Sequence, residues 1–146
     1  MKSKVLFEEN RLKTFVLVFD RNDDVVPLLL QFAEDNRLSS ARFSGIGGFQ
    51  SVRVGYYDPD ARDYQPIDIN QQVELLSLVG NLARKDGKPA LHAHVLVAKR
   101  DGSAHGGHLL EGRVWPTMEI MLVETPAQLQ RTMDQVTGLP LLDLAA

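Results

Sequence analysis

All four histidines of this chain lie in one seventeen-residue window, at positions 92, 94, 105 and 108. Imidazole is the commonest metal ligand among protein side chains, and the only one that titrates near neutral pH without perturbation. This clustering indicates a site that is built from imidazole groups.

The spacing of the first two histidines is typical of a two-point clamp on a β-strand. Residues i and i+2 of a strand project from the same face, about 6.5–7 Å apart. His92 and His94 should therefore point the same way, with Ala93 and Val95 on the opposite face. At Zn–N distances of about 2.0–2.1 Å, both rings can reach one ion.

His108 is the candidate third ligand. It follows Gly106-Gly107, which permits a close or bulged backbone approach. A turn at Asp101-Gly102 would fold this segment back beside the first strand. In an extended segment, the offset of three residues places His105 on the other face, so we expect it to be a surface residue.

Three neutral imidazoles favour zinc, with nickel, cobalt or iron as alternatives, and they leave a coordination position open. Two readings without a metal remain: a hydrogen-bonded histidine pair, or a pocket for a small anion, within one chain or between chains. The candidates for lining such a pocket are Arg42, Glu74, Gly107 and Glu119.

The elements that must position these residues alternate between one helix and many strands. Residues 24–37 carry apolar side chains at helical spacing, after an aspartate-rich stop and with Pro27 in the first turn, and they predict an amphipathic helix. Residues 45–48, Gly-Ile-Gly-Gly, predict a turn or bulge between two strands. Residues 128–136 are ambiguous between helix and edge strand. The predicted strands are 14–19, 41–46, 51–57, 64–69, 73–82, 90–98 and 118–124.

Short turns between consecutive strands predict an α+β fold with a largely antiparallel sheet of about seven strands and one main helix. The length of 146 residues suits a single domain, 1–146. Several strands, such as the one containing Leu75 and Leu76, are apolar on both faces. We therefore expect the second face to be covered by the helix or by another copy of the chain.

Composition excludes some function classes. The chain has no cysteine, which excludes thiol catalysis and cysteine-rich zinc modules. Its net charge of −3 is unlike the basic excess of most DNA-binding proteins. Lys2, Lys4, Arg11 and Lys13 form only an interrupted basic run. No apolar stretch is typical of a membrane span or a signal peptide, so we expect a cytoplasmic protein without membrane contact.

A set of ordered motifs resembles the plants-and-prokaryotes conserved domain (PPC domain), over roughly residues 10–142. The motifs are Arg42-Phe43-Ser44-Gly45-Ile46-Gly47, Val54-Gly55-Tyr56-Tyr57-Asp58, Val73-Glu74-Leu75-Leu76-Ser77-Leu78-Val79-Gly80, His92-Ala93-His94, Gly106-Gly107-His108-Leu109 and Glu119-Ile120.

The resemblance implies a compact α+β unit that assembles as a homotrimer, with a metal at His92, His94 and His108 in some members. Proteins of this family are also described as DNA-binding, so the resemblance implies DNA as a partner. In the plant members, DNA contact belongs to a separate AT-hook with an Arg-Gly-Arg-Pro core, and this sequence contains no such core.

Two classes of function follow. The first is a self-assembling module, regulatory or DNA-binding, that carries a histidine-built metal site. The alternative is a small zinc-dependent enzyme of the hydrolase or lyase type, in which the metal would activate water or polarise a substrate oxygen. The sequence indicates no substrate.

Overall fold

The structure is a computed structural model that describes residues 1–10 and 12–145. Nine strands and one helix lie in this part of the chain. In chain order they are β1 (Lys2–Glu9), β2 (Leu12–Phe19), α1 (Val25–Asp35), β3 (Ala41–Asp58), β4 (Asp63–Ile69), β5 (Val73–Lys85), β6 (Lys88–Ala98), β7 (Ala104–Glu124), β8 (Gln130–Met133) and β9 (Pro140–Asp143).

The strands form one largely antiparallel sheet, which confirms the predicted fold class. β7 pairs with β2, β3 and β6, while β3 also pairs with β4 and β5. Because β5 pairs with β6 as well, β3, β5, β6 and β7 form a closed circuit of pairings. Between β5 and β8 the pairing is parallel and brief.

The helix is confirmed, and it covers the inner face of the sheet. Val25, Leu29 and Phe32 recur on one side of α1 and are buried against the strands. Asp24 occupies the N-cap position, but its side chain makes no capping hydrogen bond and lies 3.4 Å from Arg113 instead. No helix among the described residues is long and apolar enough to cross a membrane.

The glycine-rich segment 45–48 is a bulge and not a turn between strands. β3 runs through it as a single strand of 18 residues whose register against its neighbours shifts at Gly45/Gly47 and Gly47/Phe49. Gly47 has a φ of 146°, and a Cβ there would collide with the backbone of β7. The two predicted strands are therefore one bent strand.

The strands also differ from the predicted seven in length and in number. β7 begins at Ala104, well before predicted residue 118, because Gly106, Gly107 and Gly112 obscure its pattern. β1 and β9 were not predicted, since β1 is exposed along its whole length and β9 has only four residues. Within the ambiguous segment 128–136, β8 is a short strand.

Candidate metal centre

β6 presents His92 and His94 on the outer face of the sheet. The intervening Ala93 and the following Val95 are 1% and 4% exposed, so they anchor the opposite face in the core. His92 is half-buried and His94 exposed. The alternation of the strand thus places both imidazoles on one side, as the spacing predicts.

β7 brings the third histidine to them. The hairpin between β6 and β7 pairs His108 directly with His94 and Gly107 with Val95. A Cβ on Gly107 would lie 2.8 Å from the carbonyl oxygen of Gly55, so a larger residue would push β7 away from β3. Glycine before His108 is therefore what lets β7 pair with both β3 and β6 here.

The three rings form a compact group. Each offers one nitrogen, and these nitrogens all lie within 4.8 Å of one another. The Nε2 atoms of His92 and His94 are 3.2 Å apart. Tetrahedral ligands at about 2.0–2.1 Å from zinc are separated by roughly 3.3 Å, so this pair already has the spacing of two zinc ligands.

The donor set also fits a metal chemically. The Nδ1 of His108 is buried and has no hydrogen-bond partner, which is costly for a polar atom unless a ligand satisfies it. Burial, together with the neighbouring His92 and His94 rings and Arg131, lowers the pKa of His108 to about 4. Burial and the charge of Arg131 also lower the pKa of His92. Both rings are therefore neutral near pH 7, the form that binds metals.

His105 lies apart from the group, as its offset predicts. It is exposed near the start of β7, opposite Val97, and its Nε2 lies 3.4 Å from the hydroxyl of Ser103.

The other predicted pocket residues are dispersed. Gly107 lies beside His108, whereas Arg42 is exposed on β3, two strands from His92 with Asn81 between them. Glu74 and Glu119 meet at a different depression, with Ile46 and Leu76. The structure therefore brings neither glutamate to the histidines.

A cavity of about 300 Å³ adjoins His92 and His108. The ring of Tyr64 stacks on that of His108, with centroids 4.2 Å apart and planes 17° apart. Arg131 of β8 lies on another wall, and Leu139 and Leu141 complete an apolar side.

Sequence reasoning missed Tyr64 and Arg131 as neighbours of the histidines. Tyr64 is on β4 and reaches His108 because both strands pair with the second half of β3. Arg131 lies in segment 128–136, whose sequence pattern does not distinguish a helix from an edge strand. No local pattern marks either residue, since both depend on pairings between distant parts of the chain.

The low pKa of His108 predicts how the stability of the metal-free protein depends on pH. The unfolded chain protonates this ring below about pH 6.5, whereas the folded chain keeps it neutral to about pH 4. The unfolded state thus binds more protons in that window, and the free energy of unfolding should fall as the pH is lowered, by at most about 1.4 kcal/mol per pH unit.

Urea unfolding of chelator-treated protein between pH 7 and 4.5 measures this fall. His108→Gln should reduce it, and His105→Gln, at an exposed histidine, should not. Equal pH dependence in wild type and His108→Gln would contradict the prediction.

Comparisons with known proteins agree with the fold and the motifs. A metal-containing protein from Archaeoglobus fulgidus is 36% identical, with 97% of this chain and 99% of that chain covered and a TM-score of 0.83. A "Putative DNA-binding protein" from Ralstonia eutropha is 33% identical, covering 89% and 90%, with a TM-score of 0.84. A plant- and prokaryote-conserved (PPC) protein from Pyrococcus horikoshii is 30% identical, covering 92% and 94%, with a TM-score of 0.86. No curated protein matches the chain.

The family model of the Plants and Prokaryotes Conserved (PCC) domain, the PPC domain of the motifs above, matches residues 6–126. That span contains α1, the bulged strand β3 and all three clustered histidines. The chain therefore belongs to the PPC-domain family.

Proposed function

We propose that this chain is a self-associating PPC-domain module that holds a divalent transition metal on His92, His94 and His108. The observation that carries the proposal is the convergence of three ring nitrogens within 4.8 Å. The low pKa of His108, at about 4, supports it, because protons compete little for that ligand at neutral pH.

Zinc is the first candidate metal, and nickel, cobalt and iron follow. An all-imidazole donor set suits these ions and disfavours calcium or magnesium, which take oxygen ligands. The relative from Archaeoglobus fulgidus is named a metal-containing protein, which favours a metal here as well. When bound, such an ion supplies a Lewis acid with an open coordination position.

An apolar patch on the outer face of the sheet favours self-association. We call it the outer patch: it consists of Ile46, Leu76, Val79, Leu96 and Met121, each between 43% and 59% exposed. In the strand register, only Ser44 lies between Val79 and Met121. A run of large exposed apolar side chains on one sheet face is typical of an interface. We propose that a second and a third copy of the chain cover it, giving a homotrimer.

A small zinc-dependent enzyme, of the hydrolase or lyase type, is the second candidate. The cavity beside His92 and His108 favours it, because a substrate there would lie next to two of the three residues that would hold the metal. Neither predicted glutamate can act there as a general acid or base, because Glu74 and Glu119 lie at the other depression.

DNA is the partner that the name of the Ralstonia eutropha relative suggests. The charge of this chain does not favour it. In the N-terminal basic run, Lys2 pairs with Asp20 at 3.2 Å and Lys13 with Glu8 at 3.7 Å, while Arg11 lies outside the described residues. Carboxylates beside these cations oppose contact with phosphate.

Metal content tests the proposed site directly. Protein purified without chelators should contain about one transition-metal ion per chain, measured by elemental analysis. His92→Ala/His94→Ala should lose it, because two of three ligands are gone. His105→Ala, the matched control outside the group, should retain it.

Circular dichroism verifies that the double variant is folded. Wild-type protein without stoichiometric metal would refute the site and the enzyme alternative together. Bound metal without turnover of hydrolase or lyase substrates would favour the non-enzymatic module.

Self-association should depend on the outer patch. Light scattering coupled to size exclusion should give the mass of three chains for the wild type. Val79→Asp introduces a charge into the patch and should shift the mass towards one chain. Val136→Asp is the matched control, because Val136 is 76% exposed but lies in the turn before β9. A monomeric wild type would contradict the proposal.

We expect duplex DNA to give no salt-sensitive binding. A fluorescence anisotropy titration at about 50 and 200 mM salt measures this, since phosphate-driven binding weakens steeply over that range. Tight binding at the lower salt concentration that disappears at the higher would overturn this expectation and establish DNA as a partner.

A further inference from the structure

Arg131 is a buried cation on the wall of the histidine cavity. Only 6% of the residue is exposed. Its Nη1 donates to the carbonyl oxygen of Pro140 at 3.0 Å, and its Nη2 donates to Oδ1 of Asn81. Its Nε is buried and has no partner. Both of its acceptors are neutral, so its hydrogen bonds do not balance its charge.

No carboxylate compensates Arg131 within the structure. Among residues 1–10 and 12–145, no Asp or Glu oxygen comes within 4.0 Å of its guanidinium. Asp63 also lines the cavity, but it is exposed and accepts a hydrogen bond from the backbone N–H of Tyr64. A guanidinium remains charged in proteins, and an unpaired buried charge is strongly unfavourable. Because the described residues supply no counter-ion, a bound anion is favoured.

The side of the cavity formed by the histidines also favours a bound anion. His92 and His108 face the same cavity as Arg131. With the metal of the proposed function on these histidines, two cationic centres would share about 300 Å³. Neutral imidazoles offset neither charge.

We infer that this cavity binds a small organic carboxylate, which is held by Arg131 and lies against the apolar side formed by Leu91, Leu139 and Leu141. The planar guanidinium fork suits a carboxylate. The cavity volume is at the lower end of the range for small-molecule sites. The apolar side fits the organic body of such a ligand, which inorganic phosphate lacks.

The C-terminal hairpin, β8 and β9 with the turn between them, builds this binding wall. Its attachments to the rest of the chain include two hydrogen bonds: the hydroxyl of Tyr57 donates to the carbonyl of Thr137 at 2.8 Å, and the N–H of Arg84 donates to the carbonyl of Leu129, just before β8, at 2.8 Å. Arg131 and Leu141 lie beyond residues 6–126, the part that the family model matches. The site therefore depends on a part of this chain outside that match.

Calorimetry with simple probes tests the inference, which rests in part on the proposed metal site. Benzoate and acetate are titrated into the purified protein, before and after chelator treatment, with the metal content of each sample measured. Benzamide, the neutral analogue of benzoate, and inorganic phosphate serve as comparison probes. We expect benzoate to bind and benzamide not to bind.

Variants assign the binding to Arg131. Arg131→Gln should weaken benzoate binding at least about tenfold, because a charge-assisted pair is lost. Arg100→Gln removes the same charge from an exposed turn and should change nothing. In the wild type, the side-chain Nε–Hε resonance of Arg131 should shift when benzoate is added, and this readout does not require a variant that folds.

The outcomes separate this inference from the proposed function. Absence of carboxylate binding, binding unaffected by Arg131→Gln with no shift of the Arg131 resonance, or tighter binding of phosphate than of benzoate would each overturn the carboxylate site. If protein purified without chelators contains no metal but binds benzoate through Arg131, the result would support the inference and refute the metal site. Metal at the histidines without benzoate binding would support the proposed metal site and overturn the carboxylate inference.

Discussion

The pairing of β6 with β7 is the constraint on which the candidate site depends. It sets His108 of β7 opposite His94 of β6, and the chain joins these two strands through a short turn. Because side chains alternate along a strand, a slip of one residue in this register would turn His108 towards the core. Gly107 helps to hold the register, since only a residue without a Cβ lets β7 approach Gly55 of β3 this closely. The glycines before His108 thus contribute to the site by allowing this close backbone packing.

Burial lowers the pKa of both kinds of basic group beside this cavity, but it leaves them in different charge states. It keeps the imidazole of His108 neutral and therefore available to a metal. It also lowers the pKa of the Arg131 guanidinium, which nevertheless remains charged. Neutral donors and an unbalanced cation then border one cavity. This cavity attracts an anion through the charge of Arg131. A surface that carried only neutral histidines would attract the same anion less strongly.

The sequence predicted what depends on local periodicity. Alternation along residues 90–98 was sufficient to place His92 and His94 together, and the glycines and the turn at 101–102 pointed to His108 as their neighbour. The helix follows from the apolar spacing of residues 24–37, the aspartate-rich stop before it and Pro27 in its first turn. Tyr64 and Arg131 could not be predicted, because each reaches the cavity through pairings between strands far apart in sequence. The bulged strand β3 appeared as two strands, since a glycine-rich bulge and a turn have the same composition.

The site has two parts that come from different segments of the chain. β6 and β7 carry the histidines on a face whose other side is the protein core, so changes to the strand backbone there would also disturb Val95 and Leu109. The C-terminal hairpin carries Arg131 and the apolar wall, and it packs against the edge of the sheet through few main-chain bonds. Substitutions in the hairpin can therefore alter what enters the cavity while the strand register that gathers the histidines remains intact. This separation allows the same histidine-bearing strands, β6 and β7, to be combined with C-terminal hairpins that line the cavity differently.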